Sequence, residues 1–108
     1  MDDEPGKGPP GIDKDLSMIF AEAEALRELA ADPDKARDGA RVYDFSIRWG
    51  ALMSGRLKRL EHYYRAGDLT QDQERRYREL TRELKDVAPL AEDLGIGPPY
   101  HSRTGSMG

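Results

Sequence analysis

The sequence predicts an all-α protein: an antiparallel three-helix up-down-up bundle between two flexible tails. Three observations carry this expectation. Apolar residues recur at alternating spacings of three and four over long stretches, the signature of a helix face. Stop-and-restart signals fall at Asp32-Pro33 and at Ala66-Gly67-Asp68-Leu69-Thr70. Both ends are Pro- and Gly-rich and have too little apolar content to bury. The expected layout is a tail at 1–11, a bundle domain at 12–96 and a second tail at 97–108.

The first helix is expected after Asp13 as N-cap, with Asp15 in its first turn. Ile12, Leu16, Ile19, Ala23, Leu26 and Ala30 form its heptad seam, with Phe20 beside them. It stops at Asp32, because a residue before Pro is pushed out of the helical region.

Asp32 then caps a second helix with Pro33 at its first position. This helix is read as running to Ala66, with Gly39 kinking it or splitting off a short first piece. Over 40–66, Val42, Tyr43, Phe45, Ile47, Trp49, Leu52, Met53, Leu57, Leu60, Tyr63 and Tyr64 cover well over half the circumference. So wide an apolar arc predicts a central helix covered from two sides. Arg41, Asp44, Arg48, Lys58, Arg59 and His62 share the remaining strip. Gly50, Ala51, Ser54 and Gly55 cluster midway, read either as simple tolerance or as a docking groove.

Gly67 suits a left-handed helix end, Leu69 supplies its hydrophobic contact, and Thr70 with Gln73 makes a capping box. So tight a connection makes helices two and three antiparallel neighbours. The third helix carries Tyr77, Leu80, Leu84, Val87, Ala91 and Leu94 at heptad spacing, with a kink expected at Pro89. Gly95-Ile96 ends it.

The stretch Tyr64-Arg65-Ala66-Gly67-Asp68-Leu69-Thr70-Gln71-Asp72-Gln73-Glu74 is similar to the turn of the short C-terminal helical-hairpin modules called SHOCT. It departs from them at Arg75, where an aromatic is expected, and the likeness implies no function.

Charge is uneven along the chain. Residues 1–34 hold ten acids and three bases, and residues 35–108 hold eleven acids and fourteen bases. Twelve of the seventeen bases are Arg, the residue better suited to forked pairing with carboxylate or phosphate. Without Cys there is no disulfide, thiolate site or cysteine catalysis. His62 has Lys58, Arg59, Arg65 and Ala66 at the helical offsets where metal ligands would stand. Ser17, Ser46 and Ser54 fall inside helices, and no Gly-rich phosphate loop occurs. The reading is therefore not an enzyme, with no cofactor and no metal. No stretch has the length of a membrane span or signal peptide, so the expected compartment is the cytoplasm.

What remains is a small adaptor or regulator that binds another protein, or its own copy, through helix faces. A core this small favours association. The first candidate surface is Arg48, Trp49, Ala51, Met53 and Gly55 on helix two. The alternative is anion or nucleic-acid binding by Arg56, Arg59, Arg78 and Arg82 on the hairpin of helices two and three. Two facts weigh against it: the acidic net charge, and Glu74-Arg78 and Arg82-Asp86 at pairing distance along the helix.

Overall fold

A computed structural model of the chain describes residues 8–96. Five helices follow in order: α1 (Ile12–Ala31), α2 (Pro33–Ala36), α3 (Gly39–Ser54), α4 (Arg56–Ala66) and α5 (Gln71–Asp93), with no strand among the described residues. The tail expected at 97–108 and most of that at 1–11 lie outside the described residues.

α1 starts earlier than expected. Its N-cap is Gly11, in the left-handed region at φ 83°, and Asp13 and Asp15 both stand in the first turn. The segment before it is anchored: Arg59 donates to the Pro10 carbonyl, and any side chain at Gly8 would run into Gln73. The last residues before α1 thus lie against α4 and α5.

The Asp32 carboxylate accepts from the backbone N–H groups of Asp34 and Lys35, with Pro33 behind it at the first helical position. α2 lasts one turn. Asp38 caps α3 in the same way, so Gly39 marks a new start and not a bend in a continuous helix.

The expected single helix over 40–66 is two helices divided at Gly55. The Ser54 hydroxyl donates to the Gly50 carbonyl at 2.8 Å, a side-chain bond that competes with the ladder and bends helices. Gly55 then takes φ −108° and ψ −82°, outside both helical and extended backbone. A Cβ there would stand 3.0 Å from the Ala51 carbonyl oxygen, tighter than ordinary contact, so the bend is one that Gly accommodates.

Both C-terminal stops form as read. Asp68 N–H reaches the Tyr63 carbonyl and Gly67 N–H that of Tyr64, while Ile96 N–H reaches Ala91 and Gly95 N–H reaches Glu92. These are Schellman motifs, each with a Gly at positive φ followed by a buried apolar residue, Leu69 or Ile96. Thr70 and Gln73 complete the capping box reciprocally at 3.0 Å. Gln73 is itself buried and its amide also donates to Asp13 on α1 at 3.3 Å. Replacing Thr70 with Ala removes a cap worth about 1 kcal/mol. A thermal melt followed by circular dichroism should show that loss, whereas Thr81→Ala on the half-exposed flank of α5 should show almost none.

α1 packs along α5, and α4 lies against both. Ile12, Leu16, Ile19, Ala23 and Leu26 meet Leu60 of α4 and Leu80, Val87 and Ala91 of α5 in one cluster. Leu29, which is not one of the expected seam residues, is buried in it, while the seam residue Ala30 is half-exposed. α5 continues through Pro89 to Asp93. The central-helix reading of 40–66 fails on α3. Its inner face buries Phe45, Trp49 and Met53, but Tyr43 and Ile47 are 65% and 56% exposed. α3 is covered from one side only.

Candidate partner-binding groove

α3 and α4 meet at the bend at Gly55, and α3 stands off from α5. α5 makes no backbone approach to α3 comparable with its packing against α1. An open groove of about 490 Å³ lies between α3–α4 and α5. Its floor is apolar: Trp49 and Met53 from α3, Leu57 from α4, and Leu84 and Ala91 from α5, with Ile96 closing one end.

The α5 wall is one helical stripe, Tyr77, Thr81, Leu84, Ala88 and Ala91, at spacings of four and three. Side-chain bulk falls along it, from Tyr and Leu to the two Ala residues, so little fills the space at its C-terminal end. Tyr77 packs on Tyr64 with ring centroids 4.5 Å apart. Burial first, and the charge of Glu61 second, push the Tyr77 hydroxyl above its ordinary range, which keeps it neutral. Lys58, Glu61 and Glu92 form the polar rim. Glu61 is held by Arg65 at 2.8 Å.

The five residues of the first candidate surface divide. Trp49 and Met53 are in the groove floor. Arg48 points elsewhere: its Nε donates to Glu22 of α1 at 3.2 Å and its guanidinium lies over the Phe45 ring. Ala51 is exposed, and Gly55 is the bend. The α5 wall escaped notice because Tyr77, Leu84 and Ala91 read as core seam. The signal was in the residues between them: Thr81 and Ala88 stand where a closed core asks for bulk.

The four arginines of the alternative surface also divide. Arg56 and Arg59 are committed to their own chain. Arg56 Nη1 donates to Asp15 Oδ1 at 2.5 Å and Arg59 Nε to Asp15 Oδ2 at 2.9 Å, and Asp15 is 1% exposed. Arg78 and Arg82 are exposed and make no ion pair among the described residues, so the expected pairs with Glu74 and Asp86 do not form. Arg82 lines a shallow hollow beside Phe20 with Glu79, Glu83, Lys85 and Asp86, a surface of mixed sign. Glu83 is bound across to Arg27 of α1 at 2.6 Å. That bond, more than any other cause, raises the Arg27 guanidinium above its ordinary range.

Among the described residues no group of three His, Asp or Glu is placed to hold a metal ion. No helix among them is long and apolar enough to cross a membrane. His62 packs edge-on against Tyr63, and His101 lies outside the described residues.

No protein-family model, curated protein or solved structure matches this chain. The likeness of residues 64–74 to a SHOCT turn therefore stands on the capped-turn geometry alone.

Proposed function

We propose that this chain is a protein-interaction module, an adaptor or regulator whose groove receives the apolar face of an amphipathic helix from a partner protein. On this reading α1, the bent rod α3–α4 and α5 serve as three alternating up-down-up rods, and the bend opens the third seam of the bundle to a fourth helix. The observation that carries the proposal is the apolar groove floored by Trp49, Met53 and Leu57 and left open in a chain otherwise rich in charge.

The dimensions and charge fit such an occupant. From Tyr77 to Ala91 the α5 wall rises about 21 Å, room for roughly four turns of a bound helix. At the Ala91 end stand Glu92 and Asp93, without a base in that last turn and without an ion pair among the described residues. The helix C-terminus adds its own negative potential there. A basic residue on the partner helix would complement that end.

Trp49 is the one Trp of the chain and lies in the groove floor, so its fluorescence reports occupancy directly. The probe is a synthetic helix with Leu at positions i, i+3, i+4 and i+7 and Lys on one flank. It is expected to shift Trp49 emission saturably and to bind more weakly when the flank carries Glu. Ala88 is exposed on the groove wall, so Ala88→Arg should fill the groove and cut binding by roughly tenfold or more. It should leave the melting temperature nearly unchanged. An Ala88→Arg protein that binds the probe as the parent does overturns the proposal.

A further inference from the structure

The groove uses the inner face of α3, and the outer face is a second feature that the groove does not explain. At 100° per residue, Ala40, Tyr43, Ile47, Gly50, Ala51 and Ser54 lie along one side of α3. No charge interrupts that side, although the chain is 35% charged. Ala40, Tyr43, Ile47, Ala51 and Ser54 are exposed, and a Cβ at Gly50 would meet nothing within 4 Å. The charges of this helix, Arg41, Asp44 and Arg48, all stand on one flank of the stripe.

We infer that this face binds a second copy of the chain, with the two α3 helices antiparallel about a two-fold axis. Two features of the face favour this occupant and this direction. The first is size. The N-terminal half of the stripe is bulky, with Tyr43 and Ile47, and the C-terminal half is small, with Gly50, Ala51 and Ser54. Such a face complements itself when reversed. With the axis passing near residues 46 and 47, Tyr43 of one copy lies over Gly50 of the other, and the two Ile47 side chains meet at the centre. A parallel pair would set Tyr43 against Tyr43 and leave the small halves apart.

The second feature is charge. A two-fold axis lying in the interface and perpendicular to the helices keeps a given flank on the same side in both copies. The Asp44–Arg48 flanks then run side by side in opposite directions. Asp44 comes level with Arg48 of the other copy to within about one residue's rise, 1.5 Å. Asp44 makes no ion pair within its own chain among the described residues. Arg48 spends only Nε on Glu22, so its two terminal nitrogens remain for a second carboxylate. The interface thus forms two reciprocal Asp44–Arg48 pairs, as an isologous contact requires. In a parallel pair the same flanks fall on opposite sides and no such pair forms.

The chain has no Cys, so single cysteines test both the contact and its direction. Ile47→Cys should cross-link to itself under mild oxidation. A mixture of Tyr43→Cys and Gly50→Cys proteins should cross-link to each other in preference to either with itself. In sedimentation, the parent chain should move from monomer toward twice the monomer mass as concentration rises. Ile47→Lys should weaken that association by roughly tenfold or more while retaining the helical spectrum. Asp44→Arg should weaken it severalfold, and adding Arg48→Asp should restore it. A chain that stays monomeric at every concentration overturns the inference. So does a dimer that Ile47→Lys leaves intact, or preferred cross-linking of Tyr43→Cys to itself. Ala88→Arg should leave all these readouts unchanged, which separates failure at this face from failure at the groove.

Discussion

Replacing Arg56 and Arg59 together with Met should cost about 3–5 kcal/mol, a large share of what holds a domain this small together. Met keeps much of the aliphatic stem, so the loss isolates the charges. Both arginines remain two-fifths exposed in their side chains, while Asp15 is 1% exposed. The water that reaches the guanidinium groups screens their attraction, and by itself that favours a small effect. The carboxylate decides the sign and size. Stripped of both donors, Asp15 is a charge with almost no solvent contact, and desolvation of such a group costs several kcal/mol. The comparison that isolates this cause is the triple variant with Asp15→Leu added. It removes the stranded carboxylate and should recover most of the lost stability, because a packed apolar trio often equals a buried ion triad. Urea titrations of the two variants measure both quantities. A loss under about 1 kcal/mol in the Met pair would place Asp15 in the class of ordinary surface pairs. The loss should also persist in 1 M salt, where pairs such as Arg37–Asp34 are screened away.

That triad was legible in part. Asp15 stands three residues after Ile12 and four before Ile19, on the buried face of α1, and Arg56 and Arg59 share one face of α4 at a spacing of three. Read as a first-turn acid, Asp15 had a local explanation, and the local explanation hid the tertiary one. The caps at Asp32 and Thr70 and the two Schellman ends were legible because their chemistry is complete within six residues, whereas the start of α1 at Gly11 carries no capping side chain to read. The seams of α1 and α5 were legible because both helices bury one narrow stripe. α3 was not, because periodicity measures how wide an apolar arc is and not how many neighbours arrive to cover it. Tyr43 and Ile47 look identical in sequence to Phe45 and Trp49, and only the number of packed helices separates them. The division at Gly55 coincides with the Ser54–Gly50 hydrogen bond, a local side-chain choice that composition leaves open. The groove lies beside that division, and composition does not show it either. Two of its five floor residues, Trp49 and Met53, nonetheless stand in the surface that the sequence singles out.

Leu60→Ala should cost about 3–4 kcal/mol, near the upper end for a truncated core leucine. Leu60 is fully buried and is the one residue of α4 that is, so it fastens α4 between α1 and α5. Its truncation opens a cavity within the buried cluster that α1, α4 and α5 share. Three rods meeting there resist collapse into the space, so the lost contacts are not regained. Leu57 supplies the control from the preceding turn. It is the same residue type, but it lines the open groove and is only partly buried. Leu57→Ala deepens a space that water already reaches and makes no sealed void, so the transfer term alone applies, about 1–2 kcal/mol. The contrast tests the architecture and not merely the size of the side chain. If α4 closed against α5 along its whole length, both substitutions would cost alike. A ratio of two or more between them, measured by urea unfolding at one temperature, is what a bundle sealed at Leu60 and open at Leu57 requires. The same pair separates folding from binding, since Leu57→Ala should reduce capture of the probe helix by a protein that remains folded.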